Sequence, residues 1–248
     1  MGTQIVAKGV SGESFALKYA APVRRGLEAW HFLNTDLVKA ARNYAPGKPN
    51  AKVIGEPIIQ PNFMQFKSLS NFLQTQVMES AAMTIFAVVR CFDTMADDAH
   101  KAMFLGTFRN DAAAGGGETF GVSMYTNNPT SLIGAASKGN TVDNDTASGA
   151  GLSNHDFSKF ALVVQEVSAG TAPTRITNAT TGVTVIGNST LPRFPSVGLM
   201  RIGSGYHQFA GTGEIAFAAL YSESLTATEI AAVVADIRRY METRGIVV

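Results

Sequence analysis

The feature that most constrains the fold is the segment 83–90, which reads Met-Thr-Ile-Phe-Ala-Val-Val-Arg. It is almost continuously apolar and rich in β-branched and aromatic side chains. That texture is typical of a strand buried on both faces of a sheet, where no position alternates towards water. The segment therefore predicts the central strand of a packed β domain.

Shorter segments of similar texture recur along the chain, with turn residues between them. Residues 43–50 and 178–182 are two such turns, built from Pro, Gly, Asn and Thr. Many short strands separated by turns predict a β-sandwich or barrel. The segment 138–154 is polar and rich in Gly, Ser, Asn and Asp, so it is predicted to be the longest loop.

One strong helix signal lies near the end of the chain. Thr226 and Glu229 have the spacing of a capping box, in which each side chain bonds the other residue's backbone N–H. Apolar residues follow at helical spacing, at positions 230, 233, 234, 237 and 241. The prediction is an all-β, two-sheet antiparallel sandwich with one C-terminal amphipathic helix over 227–244.

Charge and cysteine content narrow the classes of function. Charged residues make up 16% of the chain and the net charge is +1, without the basic stripe of a nucleic-acid-binding protein. Cys91 is the only cysteine, so an intramolecular disulfide is impossible. The first eight residues lack the pattern of a signal peptide, and no stretch approaches the length of a membrane span. We expect no membrane insertion, and release by another route, such as cell lysis, if the protein acts outside a cell.

The C-terminal third carries a recognisable pattern of glycine-ended strands, an aromatic-x-Gly step, a strand ending in Tyr and a capped helix start. It consists of Ile202-Gly203, Phe209-Ala210-Gly211, Gly213-Glu214-Ile215, Ala219-Leu220-Tyr221 and Leu225-Thr226-Ala227-Thr228-Glu229-Ile230. This pattern resembles the concanavalin A-like, laminin-G-type jelly roll, especially as found in phage and prophage virion proteins. The resemblance spans roughly 26–245 and is looser in the N-terminal half. It implies a jelly-roll domain over 26–248, preceded by an arm or attachment segment over 1–25.

Departures from the enzymes of this superfold argue against catalysis. Laminarinase-type members carry alternating carboxylates on one strand, as retaining glycosidases require. Here Glu28 and Glu214 are each alone in their segments, and no Gly-x-Ser-x-Gly elbow is present. We therefore expect a protein that is not an enzyme and needs no cofactor.

Metal binding is also not expected. The four histidines are far apart, which disfavours a zinc site. The acidic group Asp93, Asp97 and Asp98 with His100 matches no calcium loop, so a solvated turn or helix cap is the better interpretation. The expectation is that no metal is bound.

Two segments combine an aromatic residue with polar neighbours in predicted loops, which suits sugar binding. They supply the candidate ligand-binding residues Tyr125, Asn127, Asn128, Tyr206 and His207. The alternative is that these are ordinary turn residues and a strand-end tyrosine. Trp30 is predicted to belong to the core.

The arm over 1–25 contains apolar residues without an obvious strand partner. Ile5, Val6, Phe15 and Leu17 are therefore expected to contact another subunit or a particle component. The competing interpretation makes residues 3–8 an edge strand of the same sandwich.

The functional expectation combines these points. It is a non-enzymatic phage virion protein with a structural or adhesion role, such as a tail appendage or capsid decoration. Other virion proteins, further copies of the chain in a homo-oligomer and host surface glycans are the expected partners, and the virion, assembled in the host cytoplasm, is the expected location. The alternatives are a stand-alone carbohydrate-binding lectin and a glycoside hydrolase of the same superfold.

Overall fold

Two antiparallel sheets form the framework of residues 16–248, the part of the chain that the structure, a computed structural model, describes. The sheets pack face to face and enclose a continuous apolar core. This confirms the predicted two-sheet antiparallel sandwich with one C-terminal helix. We number the strands β1–β17 and the helices α1 and α2 in chain order.

The larger sheet has eight strands and is called the helix-side sheet, because α2 covers its outer face. Its strands are β1 (Leu27–Phe32), β3 (Ile58–Ile59), β4 (Met64–Lys67), β6 (Met83–Arg90), β13 (Ala161–Val167), β14 (Arg175–Asn178), β15 (Val183–Ile186) and β17 (Thr212–Tyr221). Their spatial order is β15-β14-β13-β6-β17-β4-β3, and β1 pairs with the second half of β17.

The second sheet has seven strands and is called the loop-side sheet. Its strands are β2 (Lys52–Ile54), β5 (Phe72–Met78), β7 (Met103–Gly106), β10 (Val122–Asn128), β11 (Ser131–Lys138), β12 (Thr146–Leu152) and β16 (Leu199–Ile202). Their order is β12-β11-β10-β7-β16-β5-β2. A separate small hairpin joins β8 (Asn110–Asp111) to β9 (Glu118–Thr119).

The C-terminal helix α2 spans Ala227–Glu242 and begins with the predicted capping box. The Thr226 N–H donates to Glu229 Oε2 at 2.8 Å, and the Glu229 N–H donates to Thr226 Oγ1 at 3.3 Å. The helix ends two residues before the predicted position 244. Within residues 16–248, no helix has both the length and the apolar character needed to cross a membrane.

A second apolar cluster fills the space between the helix-side sheet and α2. Trp30 and Phe217 lie in it from the sheet, and Val233 and Ile237 from the helix. Tyr19 seals one side, because its ring stacks on Trp30 at 5.1 Å and its hydroxyl donates to Asp236 at 2.8 Å. The helix-side sheet is thus buried on both faces, as the texture of β6 predicts, and Trp30 is a core residue.

Two elements differ from the sequence-based expectation. The segment 138–154 is not one long loop, because β11 continues to Lys138 and residues 146–152 form β12. The alternate residues Ser148, Ala150 and Leu152 are buried, as expected of a strand. The alternation is weak in the sequence because most residues of this strand are small. The short helix α1 (Leu37–Ala41) was not predicted; the Asp36 side chain caps it by accepting from the Lys39 N–H at 2.7 Å.

At the end of the sandwich where β5 stops, a fully buried ion pair joins Glu79 to Arg193. Each carboxylate oxygen of Glu79 has further donors, among them the Ser196 hydroxyl at 2.6 Å and the hydroxyl of Thr107. Arg193 also donates to the Ser137 carbonyl at 2.7 Å. This network ties the segment before β16 to the ends of β5, β7 and β11.

The Glu79→Gln substitution should lower the free energy of unfolding by about 3–5 kcal/mol, because it leaves the buried Arg193 charge without its counter-ion. Urea unfolding measures the loss. The control is Glu118→Gln, which removes an exposed partner 3.6 Å from His207 and should cost less than about 1 kcal/mol. If both substitutions lowered the free energy of unfolding equally, the buried pair would contribute no more to stability than the exposed one.

His31 is a buried titratable group that should make the fold sensitive to acid. Its Nδ1 contacts the Ala40 carbonyl at 3.0 Å, its Nε2 has no hydrogen-bond partner among residues 16–248, and burial lowers its pKa to about 4. The unfolded chain therefore takes up this proton at higher pH than the folded chain does. Stability contributed by neutral His31 is present above about pH 6.5 and is lost as pH falls towards 4.

The loss assigned to His31 should reach about 3 kcal/mol at pH 4, where one pKa unit corresponds to about 1.4 kcal/mol. His31→Gln keeps a donor for Ala40 and should flatten the dependence of stability on pH between 6.5 and 4. His207→Gln, which changes an exposed histidine, should leave it as in the unmodified protein. Denaturant unfolding across that range is the measurement, and parallel curves for all three proteins would contradict the assignment.

Candidate functional site

The loop 153–160 between β12 and β13 lies at the opposite end of the sandwich from the Glu79 network and joins the two sheets. The His155 N–H donates to the Thr130 carbonyl at 2.8 Å, which fixes the loop to the β10–β11 turn of the loop-side sheet. The Cys91 N–H donates to the Phe157 carbonyl at 3.1 Å, which fixes it to the end of β6. The loop is therefore held at a defined place between the strand ends of both layers.

Side chains of this loop divide into a buried and an exposed set. His155 and Phe157 point inward and are 5% and 3% exposed, with their rings in edge contact at 4.5 Å. Asn154, Asp156 and Ser158 are exposed. The two buried side chains hold the loop in place, and the three exposed polar side chains can form hydrogen bonds at its surface.

Three adjoining cavities surround this loop, and together we call them the end cleft. The first, of about 530 Å³, lies between the loop and the β14–β15 turn and includes Asn178 and Thr181. The second, also about 530 Å³, lies between the loop, the β10–β11 turn and the segment 91–95. The third, of about 330 Å³, lies between Phe160 and the C-terminal residues 245–247.

His155 lines both larger cavities and has an unused donor. Its Nδ1 lies 3.4 Å from the Asn178 amide nitrogen, which is a donor, so Nδ1 accepts and the ring proton lies on Nε2. That Nε2 is buried and has no hydrogen-bond partner among residues 16–248. Burial lowers the pKa of His155, so the ring is neutral at neutral pH. The cleft wall therefore contains a buried donor that lacks an acceptor, an arrangement that costs free energy.

The exposed charges of the loop are paired with each other. Asp156 accepts from the Ser158 N–H at 3.0 Å and the Ser158 hydroxyl at 2.6 Å, and it lies 3.4 Å from Lys159. The hydrogen bonds from Ser158 are the main reason why the pKa of Asp156 lies below its ordinary value. The carboxylate is thus ionised at neutral pH and available to accept from a ligand hydroxyl.

An aromatic cluster borders the second and third cavities. The Arg90 guanidinium lies 4.3 Å from the ring centre of Phe160, 4.8 Å from Phe63 and 4.9 Å from Phe92. Its Nε bonds the Glu214 carboxylate, so the arginine is fixed by an ion pair as well as by three rings. Phe92 is nevertheless 63% exposed, and one apolar ring is left facing solvent at the rim of the cleft.

The structure divides the five predicted ligand-binding residues into two groups. Asn127 and Asn128 are exposed at the end of β10, and Asn128 Oδ1 accepts from the N–H of Thr130, which lines the second cavity. Tyr125 lies on the outer face of the loop-side sheet, where the segment 203–211, which contains Tyr206, covers it. There Tyr125 stacks on Phe209 at 4.6 Å.

The Tyr206 side chain makes contacts within the protein. Its hydroxyl donates to the Leu199 carbonyl at 3.0 Å, and the Arg201 guanidinium lies 3.5 Å from its ring centre. His207 is exposed and lies 3.6 Å from Glu118. These three residues do not line the end cleft, and a ligand at Tyr125, Tyr206 or His207 stays a prediction.

The arm residues can be placed only in part. Ile5, Val6 and Phe15 lie outside the described residues. Leu17 is 70% exposed, whereas Ala21 and Val23 are buried in the cluster beneath α2. The assembly contacts of the arm stay a prediction.

The acidic group after β6 is used within the fold. Asp93 accepts from the Thr212 N–H at 2.8 Å, Asp97 from His100 at 2.6 Å, and Asp98 from Gln208 at 2.9 Å. In the part of the chain that the structure describes, no group of three or more His, Cys, Asp or Glu residues has the geometry to hold a metal ion.

Sequence reasoning missed His155, Asp156 and Phe92. The available signal was the alternation over 153–158, in which buried His155 and Phe157 interleave with polar residues. That short alternation looks like turn chemistry in the sequence alone, and nothing in it indicates that residues 91–95 and 178–183 lie beside it.

Comparisons with known proteins give a fold and no family. No protein-family model and no curated protein sequence matches the chain. Solved structures do: Trypanosoma rangeli sialidase in complex with sialic acid has a TM-score of 0.60 at 12% identity, over 90% of this chain and 37% of that one. The binding domain of botulinum neurotoxin DC in complex with SialylT has a TM-score of 0.58 at 10% identity, over 86% of this chain and 52% of that one. The receptor-binding domain of the botulinum neurotoxin C/D mosaic serotype has a TM-score of 0.58 at 7% identity, over 87% and 53%.

These comparisons correct one prediction and limit another. Sialidases are enzymes, and they share this fold, so the prediction that the chain is not an enzyme is contradicted. The missing carboxylate pair excludes one kind of glycosidase chemistry and no more. The resemblance to laminin-G-type domains holds as a sandwich architecture, while a phage origin stays a proposal. The chain spans about a third of the sialidase chains and about half of the neurotoxin chains that it matches.

Proposed function

We propose that this protein is a carbohydrate-recognition domain that binds a glycan in the end cleft. The single observation that carries the proposal is the pair of adjoining cavities of about 530 Å³ each, whose shared lining is the polar segment Asn154, His155 and Asp156. Cavities of that size are in the range, about 300–1,000 Å³, that small organic ligands occupy.

The chemistry around His155 matches a sugar. Asn154, Thr180 and Thr181 supply amide and hydroxyl groups, and Asp156 supplies a carboxylate acceptor. Sugar hydroxyls both donate and accept, so they can satisfy this mixed set of exposed groups. The fold likeness to sialidases and neurotoxin binding domains, two of them in complexes with sialic acid or SialylT, supports a glycan as the ligand class.

A location on a virus particle is the finer part of the proposal. It rests on the resemblance of the C-terminal pattern, from Ile202 to Ile230, to phage and prophage virion proteins. On this proposal the end cleft faces the host glycan, and Ile5, Val6, Phe15 and Leu17 face another subunit of a homo-oligomer or another virion protein. Electron microscopy of the native particle tests the location.

Glycoside hydrolysis in the same cleft is a second candidate, favoured by the shared fold of the sialidases. The Asp156 carboxylate, ionised at the cleft surface, would be its acid–base or nucleophilic group. A fluorogenic sialoside assay tests it. Turnover that Asp156→Asn abolishes would favour hydrolysis, and absence of turnover with glycan binding intact would leave recognition alone.

Blocking the first cavity should abolish glycan binding. Thr181→Trp places a large ring at an exposed position of the β14–β15 turn, where the Thr181 backbone N–H already bonds Asn178 and the side chain has no structural bond. On an array of defined neutral and sialylated glycans of one to six units, we expect the unmodified protein to bind and this variant to bind at least about tenfold more weakly.

The matched control is Thr171→Trp, which makes the same change at an exposed threonine in the turn between β13 and β14, outside the cleft. It should bind like the unmodified protein. Two outcomes would overturn the proposal: no glycan bound by the unmodified protein, or binding that Thr181→Trp leaves unchanged.

A further inference from the structure

We propose that the end cleft binds a neutral oligosaccharide of at least three sugar units, with the exposed Phe92 ring, at the rim of the second cavity, stacking on one of them. This inference rests on the proposed glycan recognition and specifies the length and charge of the ligand. The observations that carry it are the adjacency of the three cavities around one loop, the balance of their charges and the exposure of Phe92.

The three cavities adjoin one another around the loop, because they have lining residues in common. The first and second share Asn154, His155 and Asp156. The third shares Lys159 and Phe160 with the first, and Ser158 with the second. Each cavity is large enough for at least one sugar ring, since each lies within the size range of small-ligand sites. A chain of three or more units laid along the exposed side of the loop would meet the adjoining cavities one after another.

The charged groups that line the cleft balance. Asp93 and Asp156 are acidic, while Arg90 and Lys159 are basic. Asp156 and Lys159 lie 3.4 Å apart, and Arg90 is paired with Glu214. A ligand carboxylate would thus meet no unpaired cation among the described lining residues and would lie beside two acids. A neutral ligand has no such cost.

Phe92 explains how a sugar unit in the second cavity would be recognised. Two neighbouring rings, Phe63 and Phe160, are half-buried against Arg90, whereas Phe92 is 63% exposed at the rim of the second cavity. The Arg90 guanidinium, 4.9 Å from its ring centre, contacts only part of this ring. The apolar face of a sugar ring can cover the rest and remove apolar surface from water on both partners.

The experiment compares binding across chain length, with the same array of neutral and sialylated glycans of one to six units as the probe. Neutral glycans of three or more units should bind at least about tenfold more tightly than their own mono- and disaccharide fragments. Phe92→Ala should remove about tenfold of affinity for the longer glycans and leave the shorter ones unchanged. Phe92→Trp keeps an aromatic face and should retain the affinity.

Met78→Ala is the matched control, because Met78 is an exposed apolar side chain at the opposite end of the sandwich. It should change no affinity. The melting temperatures of the three variants should match the unmodified protein, since both positions are exposed. Equal affinity for short and long glycans, a requirement for a sialylated glycan, or unchanged binding by Phe92→Ala would overturn this inference while recognition itself stands. No binding to any glycan would overturn both.

Discussion

Burial of the helix-side sheet on both faces is the constraint on which the rest of the structure depends. Its central strands β6 and β17 are buried at almost every position, so each face needs its own cover. The loop-side sheet covers one face and forms the main core. Helix α2 and the residues around Tyr19 cover the other, where Trp30 and Phe217 pack edge to face at 4.9 Å. The sandwich with its attached helix follows from one sheet that has no polar face.

The two ends of the sandwich differ in how their polar groups are placed. At one end, Glu79 and Arg193 are buried together, and hydroxyl, carbonyl and backbone N–H groups around them form hydrogen bonds with the pair. Such a network is costly to break and sets the positions of four strand ends. At the other end, the loop 153–160 is held by two backbone bonds and by Phe157 in the core. The second end leaves its polar groups exposed, and that is where the cavities lie.

The segment 203–211 covers the outer face of the loop-side sheet because its backbone passes very close to neighbouring residues. A side chain at Gly211 would come within 2.4 Å of the His100 backbone, so only glycine allows segment 203–211 to cross there. Gly203 has a positive φ of 86° and would meet the Phe66 ring. These glycines bring Phe209 onto Tyr125 and so cover a surface that the sequence pattern suggested for ligand binding. The end cleft, in contrast, is open to solvent among the described residues.

The sequence by itself determined the class of fold, because local chemistry encodes it. The texture of β6 shows burial on both faces, and Thr226 with Glu229 shows where α2 begins, since both signals involve residues near one another in the chain. A strand of small residues such as β12 escaped notice, because Ala, Ser and Gly carry little hydrophobic contrast between buried and exposed positions. The end cleft was decided only by the tertiary structure. His155 is next to Asn178, Thr130 and Phe92 only after β12, β13 and β14 have paired, and neither the burial that leaves Nε2 without a partner nor the exposure of Phe92 is a property of their neighbours in sequence.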